Sequence, residues 1–190
     1  PDLNIKGRTQ YTAKIGQYPS VCMIYKGVPA GHPDEKPLEI ALALLHNSSA
    51  TGALDKLSID GEITNGSASL EANRQQGRCK IAVTPLYDEN QRRFESNKSA
   101  EKKALKAIQQ IANGEVEDWI INAIKTNMCR EFDQVMEASE NKALILLQAF
   151  INEEDLGQVL NYKDEIMAIN IDDIKRVAKQ YLSNDYLALY

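Results

Sequence analysis

Asn170-Ile171-Asp172-Asp173-Ile174-Lys175-Arg176-Val177-Ala178-Lys179-Gln180-Tyr181 reads as the cleanest helix in the chain, and the short segment after it decides the fold. Ile174, Val177, Ala178 and Tyr181 fall on one face at helical spacing. Asn170 is a preferred cap with Asp173 three residues later, and Asp172 and Asp173 suit the positive end of the helix. Ser183-Asn184-Asp185 ends it, and Tyr186 to Tyr190 then reads as a short strand. A strand so late in the chain needs a neighbour, so the sheet must collect it from far away in sequence. Tyr181, Tyr186 and Tyr190 are placed to pack this helix on this strand, while an exposed Tyr190 would instead mark a cut linker.

Working outward, the neighbours come from the first half. Tyr11, Ala13 and Ile15 alternate with polar residues, and Gly16 to Ser20 reads as a turn. Val21 to Tyr25 is an apolar run closed by Gly27 and Pro29; its weak alternation predicts a central strand covered on both faces. A helix is predicted from near Pro37, with Leu38, Ala41, Leu42 and Leu45 in one stripe, and a second short one near Gly52–Leu57. Ala68, Leu70 and Ala72, then Cys79, Ile81 and Val83, alternate around a short connection at 74–77, which predicts an antiparallel hairpin. Residues 86–98 read as an exposed loop.

The remainder is helical. Ala100, Ala104, Ala107, Ile108 and Ile111 form one stripe, stopped by Asn113-Gly114. Val116, Trp119, Ile120, Ala123, Ile124 and Met128 form the next, with Trp119 expected in core or interface packing. Ala143, Leu144, Leu147 and Phe150 make a third, and Leu156, Val159 and Leu160 a short fourth. Strands and helices segregated in this way predict an α+β domain: an antiparallel or mixed sheet of five to six strands under a layer of helices.

The 190 residues suit one domain, 1–190, with about 9,000 Å² of exposed surface when folded. Twenty-two basic against 27 acidic side chains give a net charge of −5, and no dense Lys/Arg cluster appears, so a nonspecific nucleic-acid binder is disfavoured. No apolar run approaches 18 residues, so no membrane insertion is expected. Cys22, Cys79 and Cys129 are odd in number and widely spaced, and read as buried free thiols. Pro1 is not an ordinary first residue, so the chain reads as a processed or excised piece of a longer one.

Candidate chemistry is sparse. A hydrolytic zinc centre wants three protein ligands. The two histidines, His32 and His46, stand in no HxxEH or HExxH pattern; His32 reads as loop-structuring, and His46 as solvated or paired with a helix end. Ser48, Ser49 and Ser58 lie near His46 but in no nucleophile elbow. Glu153-Glu154-Asp155 and Asp172-Asp173 read as solvated helix starts. The residues thus nominate no catalytic, cofactor-binding or metal-binding side chain.

One resemblance adds to this. Ile166-Met167-Ala168-Ile169-Asn170 running into the quoted helix, then Leu182 and Asp185-Tyr186-Leu187-Ala188-Leu189, resembles the way domains of the insulinase/pitrilysin metallopeptidases (peptidase family M16) close, with a helix and then an edge strand. Val21 to Tyr25, Gly27-Val28-Pro29-Ala30-Gly31-His32-Pro33-Asp34 and the helix from Leu38 resemble the family's opening strand, loop and helix. The resemblance covers about 180 residues in element order and points to the non-zinc-binding, C-terminal type of domain. It implies a non-catalytic wall of a chamber that encloses unfolded peptides, inactive alone. Zinc is then expected in another domain or partner, and the partners are other insulinase-like domains plus peptide substrate. It also implies a peptide-compatible sheet face left empty in the isolated domain. Some bacterial relatives are periplasmic, though these residues carry no address. The family's arginine and tyrosine that contact substrate have no counterpart in Leu57 to Gly66, which leaves an inactive structural or assembly subunit as the alternative.

Overall fold

The computed structural model describes residues 5–14, 16 and 18–190. Along the chain run β1 (Thr9–Tyr11), β2 (Val21–Lys26), α1 (Glu35–Ala43), α2 (Ala53–Ile59), β3 (Ile63–Ala72) and β4 (Gly77–Pro85). Next come β5 (Tyr87–Asp88), β6 (Arg93–Phe94), α3 (Asn97–Asn113), α4 (Asp118–Glu137) and α5 (Ser139–Asn152). The chain closes with α6 (Leu156–Leu160), α7 (Tyr162–Ala168), α8 (Ile171–Tyr181) and β7 (Tyr186–Leu189). Ile15, expected to continue the first strand, lies outside the described residues.

Five strands form one mixed sheet in the order β1-β7-β2-β4-β3. The terminal strand β7 is indeed collected from afar, and it does not close an edge. It lies between β1, to which it is parallel, and β2, to which it is antiparallel. The hairpin β3–β4 forms as its alternation predicts, with Ala68 opposite Ile81 and Leu70 opposite Cys79. Its turn end is pinned by a backbone bond from Gly27 N to Gly77 O at 2.9 Å. A Cβ on Gly77 would run into the Val28 carbonyl, so only glycine fits there.

One face of the sheet carries the core. Val21, Met23 and Tyr25 of β2, Cys79 and Ile81 of β4 and Ala188 of β7 are fully buried on it. Helices α1 and α2 pack on β3, α3 packs on β4 and β2, and α8 lies against α1 and α3. Helix α8 is capped as its sequence predicts: the Asn170 side chain accepts from the Asp172 and Asp173 amides, and Asp173 reaches back to the Asn170 amide. Helix α3 starts at Ser96, whose hydroxyl accepts from Ser99 N, and stops at Gly114, which takes φ 78°.

Several expectations fail for one reason: periodicity marks a side as apolar without saying what covers it. Central placement of β2 holds, but coverage on both faces does not, because Cys22 and Ile24 remain half-buried with no helix above them. The stripe on α5 points outward, with Phe150 80% exposed and Leu144 and Leu147 exposed too. Leu156 and Leu160 of α6 are exposed in the same way. Trp119 is 58% exposed, and its indole donates to Glu117 at 2.5 Å. Within 86–98, β5 and β6 pair and Phe94 meets the edges of Tyr87 and Tyr18. The accessible surface is 11308 Å², above the roughly 9,000 Å² of an ordinary monomer this size. The bare sheet face and the outward sides of α5 and α6 contribute to that excess.

A buried carboxylate ties the two ends of the chain to the helix layer. Glu101, on α3, accepts from Arg8 Nε at 2.8 Å and Arg8 Nη2 at 2.9 Å. It also accepts from the hydroxyls of Tyr186 at 2.9 Å and Tyr190 at 2.6 Å. Burial pushes the Glu101 carboxyl up, but Arg8 and the two tyrosines outweigh it and hold the group below the ordinary glutamate range. Burial and this carboxylate push the Tyr186 hydroxyl up to about 12. Arg8 is partly exposed and can regain water, so the loss on removing Glu101 falls mainly on the tyrosine hydroxyls. Glu101→Ala should therefore cost about 2–3 kcal/mol, read from the urea midpoint. A carboxyl depressed in the folded state gives stability that is present above its unfolded pKa of about 4.3 and lost as pH falls through its folded value. The variant should accordingly lose less stability than the parent between pH 5 and pH 3.

Candidate functional site

The uncovered sheet face is the broadest feature positioned to act. The ladder sets Cys22 opposite Leu189 on one side and Ala82 on the other. Ile24 likewise lies opposite Leu187 and Lys80. These side chains point away from the helices, since their sequence neighbours Val21, Met23 and Tyr25 point into the core. The centre of the face is thus an apolar band. Its flanks are polar: Ser67, Ser69 and an ion pair from Arg78 to Glu71 at 2.6 Å on one side, and exposed Tyr11 on the other. At the edges, β1 and β3 have no further strand neighbour among the described residues.

The histidines serve structure. His32 Nδ1 accepts from the Asp34 amide at 3.0 Å and shapes the loop before α1. Asp34 in turn binds Arg176 at 2.6 Å and the Tyr181 hydroxyl at 2.7 Å, fastening this loop to α8. Arg176, aided by Tyr181, holds the Asp34 carboxyl below its usual value against burial. His46 sits 2.6 Å from Asp55, a partner that no sequence pattern announces. Asp55 also accepts from the Asn47 and Gly52 amides and so caps α2. Ser48 donates to Glu131, Ser49 accepts from Asn127, and Ser58 donates to the Thr64 carbonyl.

Among the described residues no group of three His, Cys, Asp or Glu side chains could hold a metal ion. His32 and His46 lie in separate hydrogen-bonded units, so the described residues do not fit a hydrolytic zinc centre. Of the acidic pairs, Asp155 caps α6 through Gly157 N and Glu153 pairs with Arg74. Equally unannounced in the sequence is Lys125 of α4, buried, whose ammonium donates to the carbonyls of Met167 and Ile169 where α7 ends.

No family model matches the sequence, and no curated protein matches it. Solved structures do. At TM-score 0.81 the chain is similar to a protease from Helicobacter pylori, 18% identical, over 96% of this chain and 44% of that one. At TM-score 0.75 and 16% identity it is similar to the inactive peptidase domain of a candidate zinc protease from Bordetella parapertussis, over 92% of this chain and 90% of that one. A peptidase M16 inactive domain from Pseudomonas fluorescens aligns at TM-score 0.71 and 10% identity, over 96% of this chain and 42% of that one. The fold is that of the insulinase-like M16 domains. This chain spans less than half of the Helicobacter protease, at 44% of its length. No described helix is long and apolar enough to cross a membrane.

The two faces of the sheet give neighbouring thiols different access to solvent, Cys79 being buried and Cys22 partly exposed. Burial pushes the Cys79 thiol up to about 12 and also raises Cys22, where Lys80 and Arg78 pull the other way. Native protein treated with a maleimide at pH 8 should label Cys22 and leave Cys79 unlabelled until denaturant is added. Mass mapping of the modified peptides checks this, and equal labelling of both would mean that the faces do not differ.

Proposed function

We propose that this chain is a non-catalytic domain of a zinc-dependent, insulinase-like endopeptidase, and that its bare sheet face forms part of the wall enclosing the peptide. The observation that carries the reading is the one-sided sheet. Cys22, Ile24, Leu187 and Leu189 form an apolar band that nothing described in this chain covers, beside polar strands able to meet a peptide backbone. The M16 fold and the Helicobacter protease, more than twice as long, support a neighbouring domain of like build. Zinc would be held in that other domain or in a partner subunit, and this chain would supply surface and position. The alternative is a structural or assembly subunit of the same fold with no peptidase attached; a domain that is itself inactive, as the Bordetella one is, suits either reading.

The test uses the natural full-length product alongside the 190-residue chain. The full-length product, with any subunit that co-purifies with it, should bind zinc and cleave unfolded polypeptide, while this chain alone should do neither. In the full-length product Ile24→Glu should lower kcat/KM on long peptides about tenfold with zinc content unchanged. Absence of zinc and of cleavage in the full-length product and in any subunit that co-purifies with it would select the structural reading. Unchanged kcat/KM in Ile24→Glu would remove the face from the wall.

A further inference from the structure

A cleft of about 890 Å³ opens between the loop before α1, α1 itself and the helices α4 to α8. No described strand residue lines it, so it is separate from the sheet face and independent of the chamber-wall reading. Its floor is apolar, built from Pro37, Ile145, Val159 and a stacked pair, Phe132 and Tyr162, with ring centres 4.8 Å apart. Its wall is acidic. Asp34 and Arg176 satisfy each other, which leaves Glu35, Glu39, Glu154, Glu165 and Asp173 against Lys36, the one remaining Lys or Arg among the described lining residues.

Glu39 is the anomaly. Its Oε2 is sealed from solvent and has no hydrogen-bond partner. The 27% of the side chain that stays accessible belongs to its other atoms. An orphaned buried carboxylate oxygen is costly, so the group gains from a strong donor at its other, accessible oxygen. The chain itself shows which donor the site favours. The Lys36 ammonium lies 3.6 Å from both the Glu35 and the Glu39 carboxylates and 5.0 Å from the centre of the Tyr162 ring. A cation between two carboxylates and over an aromatic face is the arrangement that ammonium groups seek. At 3.6 Å, though, Lys36 is beyond hydrogen-bond reach of either oxygen and leaves Glu39 unsatisfied.

We propose that this cleft binds an ammonium group carried on an apolar stem, received by the Glu39 carboxylate, with the stem resting on Tyr162 and Phe132. The ammonium meets the carboxylate at Oε1, the oxygen that Lys36 approaches, because Oε2 is sealed and a half-turn of the soft terminal torsion only exchanges the two. Lys36 is the internal competitor for this place. Burial pushes the Glu39 carboxyl up to about 7, with Glu35 and Glu154 adding to the rise and Lys36 opposing it. The other titratable or charged groups lining the cleft are His32, Asp34, Tyr162, Glu165, Asp173 and Arg176. Binding an ammonium requires the ionised carboxylate, so affinity should fall roughly tenfold from pH 8 to pH 6.

The probes are hexylammonium and, as its uncharged counterpart, hexanol, titrated calorimetrically at pH 8 with amide chemical-shift mapping. Hexylammonium should bind at least tenfold more tightly than hexanol, with shifts on α1, α5 and α7. Glu39→Gln should weaken hexylammonium about tenfold while leaving the thermal midpoint intact or raised, and Lys36→Met should strengthen it. A Leu-Lys-Leu peptide that bound more tightly than hexylammonium would place the ammonium on a polypeptide; weaker binding would place it on a free amine. No binding at millimolar probe, equal affinity for the alcohol, or indifference to Glu39→Gln would overturn the proposal.

Discussion

The domain depends on one carboxylate being satisfied in the interior. Glu101 receives Arg8 from the start of the described chain and Tyr186 and Tyr190 from its end. That meeting point ties β7 to α3, beside its backbone bonds to β1 and β2 and the burial of Tyr186 and Ala188. The arrangement also explains why the sheet can be assembled from such distant pieces. Its middle holds β7 and β2, about 160 residues apart in sequence, and a shared polar centre fixes their register where apolar contacts alone are less directional.

Much of the fold was legible because local chemistry and tertiary outcome agree. Asn170 and Asp173 form the capping box that their spacing suggests, Gly114 ends α3, and the alternation around 74–77 is a hairpin. What was not legible concerns partners. The stripe Leu144, Leu147, Phe150 is a sound helical periodicity, yet it faces outward, because amphipathy encodes a side and not an occupant. The weak alternation of Val21 to Tyr25 promised two covered faces for the same reason: an apolar residue awaiting a neighbour reads like one that already has it. Glu101 and Glu39 were invisible, each a single acid beside an apolar stripe. Only the fold shows that one is surrounded by donors and that the other has an oxygen with none.

The resemblance to insulinase-type peptidases and the geometry meet in one property, the asymmetry of the sheet. Helices α1, α2 and α3 cover one side, and the histidines that a metal would need are committed to the loop before α1 and to the cap of α2. What this chain offers is shape, an apolar band and an acidic cleft.

The parallel pairing of β1 with β7 has a mechanical consequence. Thr9 lies beside Leu187 and Tyr11 beside Leu189, and the bonds from Tyr190 N to Tyr11 O and from Ala13 N to Tyr190 O extend the pairing. Tension applied through the segment before β1 and the residue after β7 would draw the two strands along each other in opposite directions. All the bonds between them would then bear load together in shear, whereas an antiparallel pair pulled from its open end unzips rung by rung.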